Sequence, residues 1–289
     1  MTYLLLSILA TTIIFILFKT FSLYKVNTSQ AIVTNYIVAA LFGFFFHTGN
    51  ISIPTLISQP WFIWSLILGA VFISIFSLIA ITAQRNGISV VAVASKMSMI
   101  IPILFGILYY KEHTNTLKIT GILIALIAVF LASSKKTSQT TTNTSSFIYP
   151  LLVFIGSGLI DTSIKFIDFH FVKPEDASIF PATIFAAAGI LGIFLLLYNS
   201  IIKKESISFK NIIAGISLGI PNYFSVYFLI LALRHELMDS STVFTINNVS
   251  ILITSTLAGI LIFREQLLLK NWIGILLAIL SIFLVSFSF

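Results

Sequence analysis

From Val26 to Gln84 the chain carries no Asp, Glu, Lys or Arg. A helix that crosses a bilayer needs roughly 20 apolar residues, so this stretch is too long for one crossing and must turn back. Gly49, Pro54 and Pro60 mark where it breaks. The rest of the chain follows the same rule. Of its 289 residues, 58% are hydrophobic and 9% are charged, with a mean hydropathy of +1.09. Soluble domains are about 25% charged, and a soluble surface of this size cannot be solvated by so few ionic groups. The composition predicts an all-α, polytopic integral membrane protein with about ten spans and no room for a domain outside the membrane. The alternating polarity of a transmembrane β-barrel is absent.

Charges and helix breakers place the spans. Span 1 is expected at Thr2–Phe18, ending at Lys19, with span 2 at Ser29–His47 and span 3 at Gln59–Gln84. Span 4 follows at Gly87–Tyr110 and span 5 at Leu117–Ser134. A Ser/Thr-rich polar linker, Lys135–Ser146, separates residues 1–134 from residues 147–289. After it come span 6 (Phe147–Phe169), span 7 (Asp176–Tyr198), span 8 (Phe209–Arg234), span 9 (Ser240–Phe263) and span 10 (Asn271–Phe287). The apolar N-terminus lacks a basic leader and a small-residue cleavage site, so it reads as a retained first helix. The net charge of +7 is spread over 16 Lys and Arg that form no long run. It is read as topological rather than as a nucleic-acid surface. The absence of cysteine excludes disulfides and thiolate metal sites.

The two halves repeat. Lys111-Glu112 lies nine residues before Gly121-Ile122-Leu123-Ile124-Ala125, and Arg264-Glu265 lies nine before Gly274-Ile275-Leu276-Leu277-Ala278. Leu104 and Gly106 match Leu257 and Gly259, and spans 3 and 8 both end in Ala-x-Arg, at Arg85 and Arg234. Ala31, Ala40 and Gly43 match Ala177, Ala186 and Gly189, while Lys19 aligns with Lys165. A half with an odd number of spans puts its copy into the membrane upside down. Inverted repeats of this kind place a binding site near the midplane and suit alternating access.

Two five-helix halves, each with a basic-Glu pair closing its fourth helix and a Gly-rich start to its fifth, resemble the drug/metabolite transporter superfamily. Within it, the chain is most similar to EamA-type transporters. The resemblance implies a ten-helix fold and a central cavity lined mainly by spans 1, 3, 4, 6, 8 and 9. It also implies transport of small metabolites, often amino acids and commonly outward, in the cell (plasma or inner) membrane. The chain departs from the family pattern between His47 and Gln59, which holds no Lys or Arg. The resemblance puts both termini in the cytoplasm. The cation count opposes this: Lys19, Lys25, Arg85, Lys135, Lys136, Lys203, Lys204, Lys210, Arg264 and Lys270 lie on odd-numbered connections. Only Lys111, Lys118, Lys173 and Arg234 lie on even-numbered ones. The family orientation is kept as the expectation.

An ionisable group inside the hydrocarbon costs on the order of 2.5–3.5 kcal/mol on insertion scales and is a functional candidate by default. Lys96 in span 4 and Asp161 in span 6 are the two clear cases. Either they form an ion pair that holds the halves together, or Lys96 meets a substrate carboxylate or phosphate while Asp161 meets an amine or carries a proton. Lys165, at i+4 from Asp161, pairs with Asp161 or Asp168, snorkels, or touches substrate. Asn247 and Asn248 in span 9, and Asn222, Tyr223 and Tyr227 around Pro221 in span 8, complete the expected substrate-binding set. Pro221 frees a backbone carbonyl, and Pro102 does the same in span 4. Asn35 and Tyr36 are weaker candidates. Gly215-x3-Gly219 reads as helix packing, and Glu112 and Glu265 as structural groups serving helix N-termini.

No zinc motif, paired-aspartate motif or Ser beside a base is present; Gly156-Ser157-Gly158 lacks a placed His. No catalytic residue, metal or cofactor is expected. Nothing resembles a selectivity filter. The leading reading is a secondary carrier for a small polar metabolite, with the proton as candidate coupling ion, lipid around it, and a monomeric or homodimeric state. A carrier of lipid or polyprenyl-linked cargo is the alternative, and an intramembrane enzyme comes behind it.

Overall fold

A computed structural model describes the chain except residues 48, 50–51, 87, 134–147, 203–205, 207, 236–237, 265 and 288–289. For residues 80, 83–86, 88–89, 92, 133 and 200 it describes the backbone alone. The expected linker, Lys203, Lys204, Glu265, Gly87 and Phe147 thus lie outside the described residues, as does the side chain of Arg85. No strand forms among the described residues. The helices are α1 (Thr2–Leu23), α2 (Thr28–Phe46), α3 (Ile53–Ile57), α4 (Phe62–Asn86), α5 (Ile88–Met97) and α6 (Ile100–Tyr109). They continue as α7 (Thr116–Ser133), α8 (Ile148–Phe171), α9 (Ile179–Ile202), α10 (Phe209–Leu233), α11 (Ser240–Phe263) and α12 (Leu269–Ser286). Eight of these are long and apolar enough to cross a membrane, and two shorter apolar stretches lie at Val93–Tyr109 and Thr116–Ala132. The fold is that of an all-α membrane protein.

Spans 1 and 4 differ from expectation in ways that bear on the fold. Helix α1 continues past Lys19 to Leu23, because a lysine near a membrane surface can extend its ammonium to water without ending the helix. Span 4 is not one helix: it divides into α5 and α6 at Ser98–Met99. Pro102 has no N–H, and its ring collides with the carbonyl four residues back, which belongs to Ser98. The break falls where that clash must be relieved.

The chain forms two compact units. One comprises Met1–Ser77 and Ser163–Arg234, the other Leu78–Thr162 and His235–Phe289. Each unit therefore draws on both halves of the sequence, and the boundaries fall within α4 and α8.

In the first unit, α10 lies against α2 through the small residues singled out in the sequence. A Cβ on Gly215 would stand 2.6 Å from the Ala31 carbonyl oxygen, and one on Gly219 would stand 2.6 Å from Val38 Cβ. Only glycine permits that approach. Helices α2 and α9 cross reciprocally: Gly43 of α2 faces Ala182 of α9, and Gly189 of α9 faces the Tyr36–Ile37 backbone of α2. The helix starts are tied by amides. Asn27 Oδ1 accepts the N–H groups of Ser29 and Gln30, and Asn211 Nδ2 donates to Gln30 Oε1 at 2.7 Å.

The second unit has the same kind of reciprocal crossing. Gly121 at the start of α7 faces Val285 at the end of α12, its Cβ position 3.2 Å from the Val285 nitrogen. Gly274 at the start of α12 meets Ala132 at the end of α7, 2.9 Å from its Cα. The pair is antiparallel. Asn271 secures it by donating to the carbonyls of Leu131 and Ala132 at 3.0 and 2.9 Å. Helices α6 and α11 also end alike. Lys111 and Arg264 take left-handed backbone conformations, with φ of 53° and 52°. The turns close on the carbonyls of Gly106 and Gly259.

Candidate functional site

Lys96 stands one residue before the end of α5, beside the Ser98–Met99 break. Its Nζ donates to Asn248 Oδ1 of α11 at 3.4 Å. Asn248 is itself oriented by its own helix, because Nδ2 donates to the Phe244 carbonyl at 3.1 Å. With the amide nitrogen engaged, the amide oxygen is left to face the ammonium. Asp161 of α8 is half-buried, and its charge and that of Lys96 act on each other. Gly158 lets this happen. It lies one turn before Asp161, where a Cβ would stand 2.7 Å from Ile101 Cβ, so α8 comes close to α6 just beyond the break.

The environment of Asp161 is spare. Among the described residues its carboxylate accepts no hydrogen bond, and what opposes its charge is Lys96. An isolated carboxylate in an apolar medium is costly enough that such groups stay paired or become neutral. On α11, Asn247 Oδ1 is buried with no hydrogen-bond partner among the described residues, as is Ser241 Oγ one and a half turns earlier. Buried acceptors and hydroxyls are nearly always satisfied, and an exception asks for a reason. The structure therefore places Lys96, Asp161 and Asn248 in one unit, with Asn247 preceding Asn248 in α11.

The other expected residues lie in the first unit and have other tasks. Lys165 Nζ donates to the Leu233 carbonyl at the end of α10 at 3.0 Å and lies 5.4 Å from the Phe169 ring centroid. Tyr223 is fully buried: its hydroxyl donates to the Ser178 carbonyl at 3.0 Å, and its ring stacks on Tyr227 at 5.7 Å. Asn222 is half-buried, and its carbonyl accepts from Ser225 Oγ. Helix α10 runs unbroken through Pro221, so Pro102 and Pro221 differ: Pro102 divides its helix and Pro221 does not. In α2, Asn35 Oδ1 and Tyr36 Oη are buried with no hydrogen-bond partner among the described residues, Tyr36 between the rings of Phe76 and Phe185.

Two charge clusters were not foreseen. Arg234 forks onto Asp168, with Nε and Nη2 donating at 3.0 and 2.6 Å, and Nη2 also reaches the Val172 carbonyl at 3.2 Å. Asp168 is only 3% exposed. The second cluster closes the start of α11. Glu112 accepts the N–H groups of Ser240 and Ser241 at 2.8 and 2.9 Å and the Ser240 hydroxyl. A carboxylate there satisfies donors the helix cannot and meets the positive end of its dipole. Lys118, 1% exposed, bonds Asp239 at 2.7 Å and the His113 carbonyl at 3.0 Å, with Glu112 at 3.9 Å. Glu112 thus takes the capping role expected of it. Lys118 looked like a cation at a helix end, and its local sequence holds no sign of partners 121 residues away.

No family model matches the chain. A protein of Haemophilus influenzae described only as uncharacterized is 27% identical over 285 residues, spanning 96% of this chain and 94% of its own length. A solved crystal structure of a protein with 12% identity superposes with a TM-score of 0.76 over 99% of this chain and 98% of the other. That likeness concerns the fold.

Proposed function

We propose that the chain is a secondary transporter that moves a small polar metabolite across the cell membrane by alternating access, most simply as an exporter. The observation that carries this reading is a half-buried lysine and a half-buried aspartate whose charges act on each other beside an interrupted helix. Discontinuous helices at the midplane are where secondary carriers hold cargo, and intramembrane ionisable groups mark transport paths. Lys96 receives an anionic group of the cargo, Asn248 holds the ammonium in place, and Asn247 offers an acceptor to a cargo donor.

The drug/metabolite transporter resemblance and a layout of ten spans in two inverted repeats belong to the same proposal. The reciprocal glycine crossings of α2 with α9 and of α7 with α12 support it, since a two-fold axis pairs residue i with j and j with i. So do the matched left-handed turns at Lys111 and Arg264. On this reading Tyr223, Lys165 and Arg234 build the scaffold. The test is counterflow of a metabolite panel into proteoliposomes: saturable exchange that Lys96→Ala abolishes supports the proposal, and exchange unaffected by that substitution in a folded protein removes the site. A reporter fused to Phe289 that is active only outside the cytoplasm would reverse the proposed orientation.

A further inference from the structure

We infer that Lys96 and Asp161 form a proton-linked anion site: a small organic monoanion takes over the Lys96 ammonium, and the displaced Asp161 carboxylate takes up one proton from the aqueous phase open to the site. The inference rests on the transport reading and adds the cargo's charge and its coupling.

Three observations carry it. Asp161 has no hydrogen-bond donor among the described residues, unlike Asp168 and Glu112, and the opposing charge that acts on it there is that of Lys96. The ammonium is also held from α11, where Asn248 accepts from it through an amide whose nitrogen donates to the Phe244 carbonyl. Gly158 brings α8 against α6 without a side chain between them, which leaves Asp161 next to the Ser98–Met99 break, where backbone and cargo can be accommodated. Once an anion occupies Lys96, a charged Asp161 would be stranded in an apolar span, and a carboxyl in that position becomes neutral instead. An O–H bond forms on the carboxylate, the proton comes from water, and nothing is oxidised or reduced. The site is neutral before the exchange and neutral after it.

Among the described residues, Lys165, at i+4 on the same helix, donates to the Leu233 carbonyl, α6 presents Ile101 to α8, and α11 presents the amide of Asn248 to Lys96.

The experiment is titration calorimetry on the full chain in detergent, run in two buffers of different ionisation enthalpy near pH 7. The probes are L-lactate, benzoate, methanesulfonate and the zwitterion L-alanine. The expected result is that at least one anion binds with uptake of about one proton, its affinity weakening about tenfold per unit rise in pH. Asp161→Asn should bind the same anion with no proton uptake and no such pH dependence. Lys96→Ala should not bind it, and Lys96→Arg should. Anion binding without proton uptake, uptake that persists in Asp161→Asn, binding of alanine alone, or binding of none of the four to a cooperatively folding protein would each overturn the inference. The wild-type proton count decides even if the Asp161→Asn chain does not fold. Lys96-dependent counterflow without proton uptake removes the inference and leaves transport standing, whereas counterflow indifferent to Lys96→Ala removes both.

Discussion

Asp161 and Asp168 lie on the same helix, two turns apart, and have opposite surroundings. Asp168 is gripped by a forked guanidinium with further carbonyls completing the donor set of Arg234. Asp161 has a lysine's charge and no hydrogen bond among the described residues. Both carboxylates are costly to bury. The first is built so that the chain meets the whole cost, which is how a structural ion pair behaves. On the proposed reading, the second leaves part of that cost to the cargo. Satisfaction, more than burial, separates scaffold from site.

Substitutions at the two carboxylates and their neighbours test the contrast. The largest effect is expected for Lys96→Ala, which should lower transport at least about 100-fold, the equivalent of about 2.7 kcal/mol, with thermal unfolding close to wild type. Asp168→Ala should do the reverse. Removing one partner of a buried pair costs about 3–5 kcal/mol, read as a lower unfolding midpoint, while whatever folded protein remains keeps its cargo affinity. Arg234→Lys should sit between, since an ammonium cannot fork. Gly219→Val should cost about 1–3 kcal/mol by forcing α10 from α2, detectable in the same unfolding assay. The smallest effect is expected for Glu112→Gln, about 1 kcal/mol from a weakened helix cap, with cargo affinity unchanged.

Much of this was legible in the sequence because charge is so scarce in it. With few ionic residues in the spans, Lys96 and Asp161 stand out by depth alone, and the helix positions follow from apolar run length. Glycines at helix-packing spacing were also readable, since their role is local to a helix face, and Glu112 read as a helix-capping group, though not which helix it caps. The Ser98–Met99 break was half legible: Pro102 announced a freed carbonyl, yet Pro221 sends the same signal and leaves α10 whole. Neighbours in space decide between those outcomes. The Arg234–Asp168 fork and the burial of Lys118 were not legible, because their partners are 66 and 121 residues away. A cation near a helix end looks the same in sequence whether it snorkels to water or turns inward to a carboxylate.

The central claim is that the Lys96–Asp161 pair serves cargo and not the fold. Replacing both members of a buried pair with apolar residues of similar size is often neutral or stabilising. Counterflow and thermal unfolding measured together on Lys96→Met combined with Asp161→Leu separate the two roles. The account predicts a protein that unfolds no earlier than wild type and transports nothing; transport at the wild-type rate would contradict it.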